Sequence, residues 1–205
     1  MTSAARHAPD QPREVFGWMM YDWANSGFQT TVVTVLAGPY LTALAQSAVS
    51  ENGTVLGLGP LGAVTAKSLF PFCVSASVLL QVGLLPVLGA LADFTSLKKP
   101  LLSAFCAAGV AATCLLYLVT GDLYLAGAVL FIAANVAFGG SIVLYNAYLS
   151  EVASPATRDR VSSRGYAVGY AGGGLLLALN LALISMRARS EEHTSELQSR
   201  LHLVC

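Results

Sequence analysis

Five stretches of this chain contain no Asp, Glu, Lys or Arg: Trp23–Ser50, Ser68–Ala92, Pro100–Gly121, Leu123–Ser150 and Gly165–Met186. Each is longer than the roughly 20 residues a helix needs to cross a bilayer core of about 30 Å. A bare backbone finds no water there, so a spanning segment must be a helix or part of a closed barrel. Barrel strands are shorter and alternate apolar with polar residues, and none of the five stretches does so. The chain therefore reads as five transmembrane helices. Composition agrees, with 55% hydrophobic and 11% charged residues, where soluble domains carry about a quarter charged. A formal net charge of zero gives no case for a nucleic-acid partner.

The loops set the orientation. Arg6 and Arg13 precede the first span, Lys98 and Lys99 separate the second from the third, and Arg158, Arg160 and Arg164 separate the fourth from the fifth. The other side holds Lys67 and Arg187. Seven cations against two put the N-terminus and these loops in the cytoplasm; in a bacterium the membrane would be the inner one. Residues 1–15 form a polar cytoplasmic tail with no signal-peptide core.

From Phe16 to Leu44 the first span is too long to stand upright, so a tilt, an interfacial first turn or a bend at Gly38–Pro39 must absorb the excess. The linker 51–67, rich in glycine, reads as an outside loop with room for a short surface helix. Pro71 and Pro86 kink the second span. Gln81, near mid-membrane, needs a partner, either as glue between helices or as a solute contact. On the fifth span Gly165, Gly169 and Gly173 recur every four residues, a face for close helix contact. Cys73, Cys106 and Cys114 lack ligand-like spacing and read as small core hydrophobes. No metal or cofactor is implied.

The head of the first span carries the chemistry. If it is helical, Asp22, Asn25, Ser26 and Gln29 share one face. Polar groups on such a helix belong against other helices or a water-filled cavity, and an ionisable one marks a functional site. The alternative is that Asp22 anchors the helix at the membrane surface.

Past Met186 the character changes. The run Arg189-Ser190-Glu191-Glu192-His193-Thr194-Ser195-Glu196-Leu197-Gln198-Ser199 resembles, residue for residue, the in-frame translation of a common sequencing-library adapter. Residues 189–205 are set apart on that ground, as a fusion scar would be, and His193 and Cys205 are not read as ligands. They are expected to show no packing onto the helices. Residues 16–188 are then expected to be the N-terminal transmembrane part of a longer product, interrupted after helix five.

Four stretches carry a resemblance to the major facilitator superfamily, and more narrowly to its branch of autophagy-linked vacuolar amino-acid effluxers and their bacterial relatives. They are Tyr21-Asp22-Trp23-Ala24-Asn25-Ser26-Gly27-Phe28, then Gly89-Ala90-Leu91-Ala92-Asp93 followed by Lys98-Lys99, then Tyr145-Asn146-Ala147-Tyr148-Leu149-Ser150-Glu151-Val152, and Arg164 to Gly174. The second departs from the superfamily loop, with Phe94 where a basic residue is usual and Ser96 where a glycine is usual. The resemblance covers about residues 14–186.

It implies a fold class: an all-α membrane protein, here five transmembrane helices of an incomplete six-helix N-terminal half of a twelve-helix fold built from inverted three-helix repeats. It also implies that spans one, two, four and five line a cavity, with span three peripheral. The substrate- or proton-binding candidates are then Asp22, Asn25 and Gln29, Asn135, and Tyr166, Tyr170 and Asn180, each Asn and Tyr being equally suited to an interhelical hydrogen bond. Asp22 is the candidate proton carrier. Asp93 with Arg158, Arg160 and Arg164 could gate the cytoplasmic end through ion pairs, while Lys98 and Lys99 need only report topology.

The reading is a secondary transporter of small solutes, amino acids by resemblance, whose partners are the solute, protons, the bilayer and the missing C-terminal half. Such a piece would not transport alone. A channel would need a pore-lining ring or filter that the sequence lacks. An enzyme would need paired carboxylates, a nucleophile elbow or metal-ligand spacing, and none appears.

Overall fold

The computed structural model describes residues 9–50, 53–57, 59, 62–94 and 97–202, with side chains as far as Arg187. Arg6, Glu51, Pro60, Ser96 and the side chains of the adapter-like tail lie outside the described residues. Five helical spans, Pro12–Val49, Ala66–Phe94, Lys98–Leu116, Tyr124–Val152 and Arg158–Arg187, are long and apolar enough to cross a membrane. They fall on the five charge-free windows, and the chain is an all-α membrane protein with one short hairpin among the described residues.

The first span is three helical pieces end to end: α1 (Pro12–Gly27), a π-helical segment Phe28–Leu36, and α2 (Ala37–Val49). Pro12 opens α1, where its missing N–H costs nothing. The π segment holds the run Thr30-Thr31-Val32-Val33-Thr34-Val35. Branched β-carbons crowd a tight α turn, and widening the turn relieves them. Thr34 Oγ1 donates to the carbonyl of Gln29, five residues back, at 2.8 Å. Gly38–Pro39 lies inside regular α2, so the irregularity sits earlier than the bend expected there.

Among its described residues the 51–67 linker holds a strand pair and the start of a single 3-10 turn, Ala66–Ser68, in place of the expected surface helix. Strands β1 (Thr54–Gly57) and β2 (Ala63–Thr65) pair antiparallel. Their alternation buries Val55 and Val64 in a core with Leu41, Ala45, Leu69, Cys73 and Phe131. Thr65 and Ser68 then make a capping box that starts the next helix.

Four helices follow: α3 (Leu69–Phe94), α4 (Lys98–Leu116), α5 (Tyr124–Val152) and α6 (Arg158–His202). The centre belongs to α5, half of whose span is buried against 11–17% for the others. On one side it packs α3. There Asn135 Nδ2 donates to Ser77 Oγ at 2.6 Å, and Gln81 Nε2 donates to the Asn135 carbonyl at 3.2 Å. Gln81 thus finds its partner as glue between helices. On the other side α5 packs α4, and the Tyr40 hydroxyl of α2 lies 2.7 Å from the Val119 carbonyl beyond the end of α4.

At the end of the bundle that carries the N-terminal arm, Asp10 N donates to the Val152 carbonyl at 2.8 Å. The Asp10 carboxylate accepts from Ser154 N and Thr157 Oγ1, so the arm before α1 is clasped to the α5–α6 turn. Helix α6 continues through His202. Arg, Glu, Gln and Leu are good helix formers, and a helix satisfies its backbone with no tertiary partner.

Candidate functional site

Helix α6 lies along α1 and meets it through glycines. Gly165 sits under Trp18, Gly169 under Asp22 and Ser26, and Gly173 under Ser26 and Thr30. A Cβ on Gly169 would overlap Asp22 Oδ2 and stand 2.9 Å from Ser26 Oγ; one on Gly173 would stand 3.0 Å from Thr30 Oγ1. Residues four apart form one ridge of a helix, so the glycine stripe is a groove that takes the polar face of α1. Thr30 Oγ1 crosses the seam to lie 3.3 Å from the Gly173 carbonyl.

The polar face splits. Asp22, 7% exposed, and Ser26 turn to α6. Asn25 faces the opposite way, into a cavity of about 520 Å³ between α1, the π segment, α4, α5 and α6. Gln29 is exposed. Beside Asp22 stands a stack of three rings. Trp18 lies on Tyr145 with centroids 4.3 Å apart and 11° between planes, and Tyr21 also stacks on Tyr145 at 5.2 Å. Trp18 Nε1 donates to the Tyr145 carbonyl at 3.2 Å, which pins α1 to α5.

The 520 Å³ cavity is mostly apolar, and of the binding candidates it contains Asn25 and Asn180. Asn180 Nδ2 donates within its own helix to the Leu176 carbonyl at 2.9 Å, leaving its amide oxygen free to accept. Tyr21 and Thr31 also line this space, and their hydroxyls are buried without a partner among the described residues.

One wall is α4, through Phe105, Cys106, Gly109, Val110, Thr113 and Cys114. This corrects the expectation that the third span is peripheral and that the second lines the cavity. Small residues explain the swap: a Cβ on Gly109 would lie 3.5 Å from Ala137, so α4 closes against α5 at that point. Its adjoining ridge then borders the cavity, while α3 occupies the far side of α5. Cys73 is buried as expected, but Cys106 and Cys114 are exposed, with both lining the cavity.

Other candidates stand apart. Asn135 is committed to Ser77 between α3 and α5. Tyr166 and Tyr170 are 52% and 76% exposed on α6. Asp93, Arg160 and Arg164 are exposed, and Arg158 is half-buried with its Nε unpartnered among the described residues. At this end Lys98 pairs with Glu151 at 2.8 Å, and Lys99 lies over Tyr148 at 5.3 Å. Among the described residues no ion pair joins Asp93 to these cations; Lys98 and Lys99 find their partners on α5 instead. Tyr145 and Thr31 are the site residues that sequence reasoning missed. An aromatic or β-branched residue inside an apolar helix carries no periodic signal that separates core from site.

The family model described as "Vacuole effluxer Atg22 like" matches residues 10–158. The uncharacterized MFS-type transporter YxiO of Bacillus subtilis is 31% identical over 169 residues, covering 82% of this chain and 36% of the relative. Autophagy-related protein 22 of Chaetomium globosum is 31% identical over 163 residues, 69% of this chain and 24% of that protein. The Pyricularia oryzae protein of the same name is 29% identical over 74% of this chain. The chain thus spans about a third or less of the length of these relatives. No solved structure gives a significant match.

Proposed function

Because the chain belongs to the vacuole effluxer Atg22-like family, we propose that it is part of a secondary transporter moving small solutes, amino acids in the first instance, by alternating access. The observation that carries this reading is Asp22. The other acids of the five spans, Glu14, Asp93, Glu151 and Asp159, all stand at helix ends, whereas Asp22 lies deep in α1 and is buried. An ionised carboxylate in that position is costly unless it is paired, hydrated or protonated for part of a cycle. Placed on a seam of bare glycines, it can change partner when α1 and α6 shift. Such coupling needs two states that treat the group differently. The second half required for rocking would come from chain beyond Ala188. The seven-to-two basic bias puts the N-terminus in the cytoplasm, and a bacterial protein of this kind sits in the inner membrane.

The test is Asp22→Asn in the full-length transporter reconstituted in proteoliposomes. The variant keeps shape and hydrogen bonding but loses the titratable charge. Gradient-driven solute movement should be lost while counterflow exchange survives. Wild-type gradient-driven transport would make Asp22 a surface anchor and put the coupling elsewhere.

A further inference from the structure

We propose that the cavity between α1, the π segment, α4, α5 and α6 is a binding site for an uncharged, slender molecule: an apolar body carrying one amide-like group that both donates and accepts hydrogen bonds. The site stands apart from Asp22 and is independent of the transport reading above. All of its lining residues belong to the spans, and none is Asp, Glu, Lys, Arg or His. Asp22 turns to α6 instead. An ion entering this space would lose its hydration and meet no countercharge. A free amino acid, charged at both ends, is excluded from it by the same cost.

The polar groups on the walls are neutral and underused. Asn25 is half-buried, and its side-chain amide has no hydrogen-bond partner among the described residues. That amide offers two donors and an acceptor, and left unpaired against apolar walls it is costly. The amides between α3 and α5 are committed by contrast, Asn135 to Ser77 at 2.6 Å and Gln81 to the Asn135 carbonyl at 3.2 Å. Across the cavity, Asn180 keeps its amide oxygen free. Thr31 gives a second sign. Thr30 and Thr34 satisfy their hydroxyls on the carbonyls of Ser26 and Gln29 at 2.9 and 2.8 Å, whereas that of Thr31, 4% exposed, has no partner among the described residues. π-helical turns are rare and recur at functional sites; this one turns Phe28, Thr31, Val32 and Leu36 to the cavity. The lining of the first span runs from Tyr21 to Leu36, about 22 Å at a rise of about 1.5 Å per residue. Spread over that length, 520 Å³ is a slot, of a volume usual for small-molecule sites. It suits a chain or a flat ring better than a compact ligand.

Two wall residues report occupancy. Cys106 and Cys114 are exposed and line the cavity, whereas Cys73 is buried. The chain carrying Cys205→Ser is placed in lipid nanodiscs, and alkylation of Cys106 and Cys114 by N-ethylmaleimide is followed by mass spectrometry. Octanamide is compared with nonane, which is of similar length but has no polar group, and with octanoate, its charged analogue, at equal concentrations in the bilayer. Octanamide should slow both thiols saturably. Nonane should need about ten-fold more, the net worth of one hydrogen bond, and octanoate should not protect. Asn25→Leu, of similar volume, should raise the octanamide half-saturation to that of nonane. Absence of saturable protection by octanamide overturns the proposal. So do equal half-saturations for octanamide and nonane, or protection by octanoate, and these comparisons need no variant. An octanamide half-saturation unchanged by Asn25→Leu overturns it too. The same protection is expected in the full-length transporter; thiols that octanamide fails to protect there would show that the rest of the protein fills the cavity, and would overturn the proposal.

Discussion

The glycine seam offers a test with its control built in. A methyl added at Gly169 would overlap the Asp22 carboxylate and lie 2.9 Å from Ser26 Oγ, contacts that packed atoms essentially never make. Both neighbours are short side chains on a rigid helix, so α1 and α6 must separate. Overpacking of this kind costs about 1–3 kcal/mol. At Gly174, five residues on along the same helix, nothing lies within 4 Å of the new atom. Alanine there should stabilise by about 0.5–1 kcal/mol through backbone entropy alone. Gly169→Ala should therefore fall below Gly174→Ala by roughly 1.5–4 kcal/mol in a reversible denaturant titration in mixed micelles. Trp18 and Trp23 report the transition, because they sit on Gly165 and Gly172 of the same seam. If Gly169→Ala unfolds at or above the midpoint of Gly174→Ala, α6 does not dock on α1 through its glycines. The placement of Asp22 would then fail with it.

Ser77→Ala should cost about 1–3 kcal/mol by leaving the Asn135 amide buried and unpaired, and Ser77→Ala with Asn135→Leu should recover part of that loss in the same titration. The hydrogen bonds from Ser154 and Thr157 hold the Asp10 carboxyl below its usual range. Its contribution is then present above the unfolded carboxylate pKa of about 3.9 and is lost as pH falls through the depressed folded value. Hydrogen exchange at the Ser154 amide should accordingly quicken in Asp10→Ala at neutral pH, with the difference between variant and parent vanishing in strong acid. Single cysteines at Gly53 and Thr157, in a background without the native thiols, should react with impermeant reagent from outside and from inside respectively. The reverse pattern would invert the topology.

The number, length and approximate limits of the spans were legible in the sequence, since a bilayer admits few charges and demands about 20 apolar residues per crossing. The glycines at 165, 169 and 173 announced a close contact for the same kind of local reason: an absent side chain is visible in the sequence. What they contact was not. Spacing alone put Asp22, Asn25, Ser26 and Gln29 on one face, yet the folded chain sends Asp22 and Ser26 to α6, Asn25 to the cavity and Gln29 to the outside. A face a third of a helix wide meets more than one neighbour, and which neighbour is set by how helices distant in sequence pack. The same holds for α4, whose small residues gave no direction until Gly109 met Ala137. It holds for Tyr145, an ordinary aromatic in the chain, which packing buries against Trp18 and Tyr21 from 127 and 124 positions away. Local chemistry decides that a segment crosses the membrane; only tertiary packing decides which way its few polar atoms look.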